Sequence, residues 1–228
     1  MARCLLLCGI LGPGLFVVAA LVLGATRPNY DAVYTFVSQL SLDGGGDWQV
    51  ANFLVSGLLI AISGLGLRLT RSARGISRWG WLAVVLIGLG FALLGLFRDD
   101  PWLRYPPGAP AGIGPPRSPS GFGHLASAFG IFVVLEAGAW SFARGLGLGG
   151  QGRARTICIA LAVAFPLLYG AALASGVASG LALSDPLNVF GGYAGLFQRL
   201  SLTAALAWVA WLAILFSRAP APPGTPPA

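Results

Sequence analysis

Six stretches of the chain are almost uninterrupted runs of apolar residues, and the segments between them carry nearly every charge. The stretches cover residues 4–25, 49–69, 79–97, 122–143, 156–183 and 196–217. A helix rises about 1.5 Å per residue, so about 20 residues cross the roughly 30 Å hydrocarbon core of a bilayer. None of the stretches alternates apolar and polar in the ten-residue manner of a membrane barrel strand. Backbone groups in lipid must pair within their own segment, so each stretch predicts a transmembrane α-helix. The expected fold is all-α, a polytopic six-helix membrane bundle forming one domain over residues 1–218. The Pro-rich tail, residues 219–228, is expected to be disordered.

Composition and charge sharpen this picture. Apolar residues make up 56% of the 228 and charged ones only 9%, far below the roughly 25% of soluble domains. The net charge of +7 would suggest nucleic acid in a soluble protein, but its distribution points to a membrane. Connections on one side hold Arg3, Arg68, Arg71, Arg74, Arg78, Arg144, Arg153, Arg155 and Arg218, with no acid. Those on the other side mix Arg27, Arg98, Arg104, Arg117 and Arg199 with six aspartates, Asp185 among them. The positive-inside rule makes the first side cytoplasmic and places both termini there. The expected location is the cell membrane, with the basic rim against anionic headgroups. The first stretch is too long for a signal-peptide core, so it is expected to remain as a helix.

The two long outer segments differ from the short basic ones. In the first, residues 26–48, the 3-4-3 spacing of Asp31, Tyr34, Ser38 and Ser41 forms one polar stripe if helical, as in an amphipathic helix over the bundle mouth; the plainer reading is a solvated loop. The second, residues 98–120, is dense in Pro and Gly and reads as an extended cover without a core of its own. Gly176 and Gly180 form a GxxxG face on which a neighbouring helix or a second copy of the chain packs closely. Pro166 should kink the fifth helix.

Few residues carry chemistry. His124 is the only histidine and opens the fourth helix on the outer side. Arg98, Asp99 and Asp100 end the third helix on that same side, so a helical hairpin brings them near it. As acid and base, Asp99 and His124 suit proton transfer; as plain boundary residues they are hydrogen-bonding groups. Glu136 lies about 18 Å deeper along the same helix, too far to join them. An intramembrane carboxylate suggests proton-linked function or structural pairing. Arg199 starts the sixth helix against the sign of the helix dipole, which suggests an acid partner (Asp99, Asp100 or Asp185) or an anionic ligand. Cys4, Cys8 and Cys158 sit inside apolar runs with no metal-ligand spacing. No metal and no cofactor is expected.

Several short motifs resemble the DUF998 family of uncharacterised multi-pass membrane proteins. They are Arg27-Pro28-x-Tyr30-Asp31 with Val37-Ser38-Gln39-Leu40-Ser41, then Gly95-Leu96-Phe97-Arg98-Asp99 with His124, and finally Gly195-Leu196-Phe197-Gln198-Arg199-Leu200. The resemblance spans nearly the whole chain. It implies a multi-pass membrane fold and names no activity. Family members often carry an acid where Gln39 stands and a Glu where Gln198 stands, so chemistry done by those acids would be altered here.

The expected site is an outward polar pocket of Ser38, Gln39, Asp99, His124 and Arg199, with Arg98 alongside. Asp99, His124 and Glu136 are the candidate catalytic groups; Ser38, Gln39, Arg98 and Arg199 are the candidate binding groups. The ligand expected is a lipid, isoprenoid or other amphiphile, bound or converted by an isomerase, cyclase or hydrolase. The alternatives are a small transporter coupled through Glu136, and a non-catalytic partner dimerising through Gly176 and Gly180.

Overall fold

The computed structural model describes residues 1–70, 79–181 and 190–218. Among these residues six α-helices follow one another: α1 Ala2–Thr26, α2 Gly46–Thr70, α3 Gly80–Leu96, α4 Pro119–Leu148, α5 Gly152–Ala178 and α6 Ala194–Ser217. Five of them are long and apolar enough to cross a membrane. The remaining helix, α3, has 17 residues, about 25 Å, which is the short limit for a span. Helix α4 extends past 122–143 at both ends, and α5 ends at Ala178, short of the expected 183. The tail 219–228 lies outside the described residues, as do Arg71, Arg74, Arg78 and Asp185.

The helices run up and down, each packing on the next, and α6 returns to α1 to close a ring. All starts and ends near Arg3, Arg68, Arg144, Arg153 and Arg218 therefore share one end, the basic end. The long connections share the other, the loop end. Side chains such as Leu7, Leu11, Leu58, Phe129 and Leu167 face outward and are exposed, which suits lipid rather than water.

Small residues let two neighbouring helices come very close. A Cβ on Gly88 would lie 2.4 Å from both the Ala61 nitrogen and the Gly57 oxygen, so α2 and α3 touch backbone to backbone. The GxxxG face of α5 is used differently from expectation. Ile113 N–H donates to the Gly176 oxygen at 3.0 Å, and the Gly112 backbone lies against Gly180. A loop, not a neighbouring helix, fills that notch.

Both long segments also depart from expectation. Residues 37–41 form a short 3-10 turn whose five residues are all buried, so no polar stripe lies in the interface. The chain is pulled inside because Ser38 and Gln39 find polar partners there. The second segment carries a small core of its own. Trp102, Leu103 and Tyr105 are buried, and the first two pack with Phe36 of the 3-10 segment, Ala172 of α5 and Ala194 of α6. An apolar island between prolines is enough to sink this loop into the ring.

The backbone contact predicts a contrast between two glycines. Gly88→Ala should cost about 1–3 kcal/mol by overpacking. Gly130, whose Cβ would meet nothing within 4 Å, should tolerate Ala without loss. Thermal unfolding in detergent measures both; equal effects would refute the α2–α3 contact.

Candidate functional site

A cavity of about 140 Å³ lies at the loop end, in the middle of the ring. Its walls are mostly apolar, from α2, α3, α4, α5 and α6, and its roof is the 3-10 turn with the second loop. Asp99 and His124 are the charged or titratable acid and base on its surface, joined by Ser38, Gln198 and Tyr169.

Local structure explains how Asp99 arrives there. Helix α3 stops at Leu96, and Phe97 continues in extended backbone. Helix α4 starts under the Ser118 side chain, which accepts the Gly121 N–H at 2.9 Å, with Pro119 in the first turn. Asp100 ties the two ends of the loop together, accepting the Arg117 N–H at 2.6 Å and the Ser118 N–H at 3.3 Å. Its carboxylate presses so closely on Gly121 that a Cβ there would sit 2.1 Å from Oδ2.

With the loop closed, Asp99 points into the cavity. Its Oδ2 accepts from Gln39 Nε2 at 2.8 Å and from Ser38 Oγ at 3.1 Å. Its Oδ1 accepts the Asp100 N–H at 2.9 Å. Gln39 is fully buried and fully used: Nε2 also donates to the Asp100 oxygen at 3.0 Å, and Oε1 accepts the Trp102 N–H at 3.0 Å. His124 Nδ1 lies 2.7 Å from the Phe97 carbonyl. A carbonyl only accepts, so Nδ1 carries the hydrogen. Nε2 is thereby turned toward Asp99 Oδ2, 3.9 Å away. That gap is too long for a hydrogen bond and short enough for an ion pair.

Two neighbouring carboxyls thus have opposite environments. Burial pushes the Asp99 carboxyl up from its ordinary 3.8, against the lowering effects of His124, Ser38, the Asp100 N–H and Gln39. Asp100 is also pushed up by burial, but the Arg117 and Ser118 donors outweigh this and hold it below 3.8. Asp99 therefore holds a proton more readily than an ordinary aspartate, while Asp100 gives its proton up more readily and staples the loop.

The structure brings Ser38, Gln39, Asp99 and His124 together, and leaves the other expected residues elsewhere. Arg199 donates to the carbonyls of Ala32, Thr35 and Gly195 and to the Tyr30 hydroxyl. It clamps α6 to the first loop, and its partners are carbonyls rather than an aspartate. Burial, partly offset by Arg199, pushes the Tyr30 phenol up to about 12. Arg98 pairs with Asp47 at the surface. Glu136 does not line the cavity. Gln198 uses Oε1 to accept the Val37 N–H at 2.7 Å. Tyr169 was not foreseen; its one signal is a lone phenol a turn after Phe165, on which its ring stacks at 5.9 Å.

The family model "Protein of unknown function (DUF998)" matches residues 10–215, and the chain belongs to that family. No curated protein and no solved structure shows significant similarity to it.

Asp99 and Asp100 should show opposite pH signatures. The folded state holds the Asp99 proton more tightly than the unfolded chain does, so wild type should lose stability relative to Asp99→Asn as pH rises from below 3.8 through the native value. The stabilisation by Asp100 should be present above 3.8 and vanish as pH falls through its lowered value. Melting temperatures of wild type, Asp99→Asn and Asp100→Asn across acid to neutral pH test this; differences that do not change with pH would refute it. Arg199→Ala should cost about 2 kcal/mol or more. Arg199→Lys should not restore it, because a point charge cannot span several carbonyls. An Arg199→Ala protein as stable as wild type would remove the clamp.

Proposed function

We propose that this DUF998 protein binds an amphiphile at the loop end, with its head against Asp99 and His124 and its tail in the bilayer. The observation that carries the reading is the acid–base pair on the wall of a mostly apolar cavity. A head-group oxygen or nitrogen about 2.8 Å from both Nε2 and Oδ2 would bridge their 3.9 Å gap. The volume of about 140 Å³ resembles cavities that hold one benzene-sized molecule. The cavity thus suits a head of a few heavy atoms, and the tail must leave. Leu125 on α4 and Leu173 on α5 line the cavity yet are 51% and 37% exposed, which supports a lateral exit toward lipid between those helices.

Among the described residues no arginine lines the cavity, so the head fits a neutral hydroxylated or amine-bearing group better than an anion. If the ligand is converted, His124 Nε2 and Asp99 are the groups placed to take and return a proton. The charge distribution supports a cytoplasmic basic end and an extracytoplasmic cavity.

A second reading, a proton-linked carrier, rests on Glu136, whose Oε1 is buried without a hydrogen-bond partner among the described residues.

Native mass spectrometry of the protein in mild detergent tests the first reading. Wild type and Arg199→Ala should retain one defined small mass, which Asp99→Asn and His124→Ala should lose. Bulk lipid equally retained by all four would contradict the pocket. A ligand lost only in Glu136→Gln would favour the carrier.

A further inference from the structure

A second groove lies at the basic end, between α4 and α5, lined by Trp140, Ala143, Arg144, Gly147, Arg155 and Ile159 among others. We infer that it is a headgroup site for the phosphate of an anionic phospholipid, held by Arg144 and Arg155 beneath the exposed indole of Trp140.

The groove follows from helical periodicity. Residues 140, 143, 144 and 147 fall on one face of α4, and residues 155 and 159 on one face of α5. Ala143 and Gly147 leave the hollow, and Trp140 stands one turn deeper than Arg144. The Arg155 side chain lies across Gly147, where a Cβ would come within 3.0 Å of its Cδ. Room for Arg155 in the groove therefore depends on the glycine.

Charge identifies the occupant. Among the described residues neither the Arg144 nor the Arg155 side chain makes an ion pair or hydrogen bond. No aspartate of the chain lies in the segments at this end, and no acid lies in the first turn of α5, whose cap carries no side-chain hydrogen bond. Two guanidiniums and a helix N-terminus converge without a protein counter-ion. Trp140 is 49% exposed, and an indole at this depth marks the membrane–water boundary. A phosphodiester with acyl chains meets both the charge and the apolar wall, as basic pockets between membrane helices do.

The test is native mass spectrometry of the full chain in neutral detergent, with equal phosphatidylglycerol and phosphatidylcholine. Wild type should retain the anionic lipid about thirtyfold over the zwitterionic one, given about 1 kcal/mol for each of the two arginines near the surface. Arg144→Gln with Arg155→Gln should abolish that preference, and Gly147→Leu, by displacing Arg155, should reduce it. Arg3→Gln with Arg153→Gln, at the same end, should leave it intact. Melting temperatures in phosphatidylcholine confirm that each variant is folded. Equal retention of the two lipids by wild type would overturn the inference, as would an equal loss in the control pair, which would mean diffuse attraction. Displacement of the lipid by inorganic phosphate at the same concentration would also overturn it, in favour of a soluble anion.

Discussion

Loop backbone tucked into the mouth of a membrane bundle has little water to bond with, and that shortage organises the whole loop end. Several of the described irregular stretches there are satisfied by a side chain from elsewhere. Gln39 serves the backbone of Asp100 and Trp102, Gln198 serves Val37, and Arg199 serves Ala32 and Thr35. Ser175 of α5 donates to the Phe190 oxygen at 2.7 Å and accepts the Tyr193 N–H at 3.1 Å. These cross-links hold the 3-10 turn and the second loop as a roof over the ring, and the roof carries the polar side of the cavity.

Within that roof, adjacent aspartates have been given different work. Asp100 is surrounded by backbone donors and closes the loop. Asp99 meets the apolar cavity, where burial favours its protonated form. Gln39 matters to this division because its amide donates to Asp99. A carboxylate in its place would face Asp99 with a like charge, and the two would have to share a proton. The basic end works by the opposite logic. There, among the described residues, Arg144 and Arg155 have no acid beside them, and the inferred anionic lipid would supply the balancing charge.

The helices were readable because apolar runs and charge-bearing connections alternate so cleanly. The Asp99–His124 meeting was readable too, since a hairpin of α3 and α4 forces their ends together. The burial of residues 37–41 was not, because a buried polar segment and a solvated one have the same residues until their partners are known. Arg199 misled for a related reason: its partners are carbonyls, which leave no mark on sequence. The small core around Trp102 and Leu103 hid among prolines that read as a structureless cover. Tyr169 was missed because one phenol on an apolar helix looks like packing.

The account turns on how His124 is held over the cavity. It is the only histidine of the chain, so ¹⁵N-imidazole labelling gives a signal that needs no assignment. NMR of that label in detergent or lipid should show hydrogen on Nδ1, bonded to the Phe97 carbonyl, and an Nε2 signal that shifts in Asp99→Asn. An Nε2–H tautomer, or an imidazole indifferent to Asp99→Asn, would contradict the pairing on which the proposed site rests.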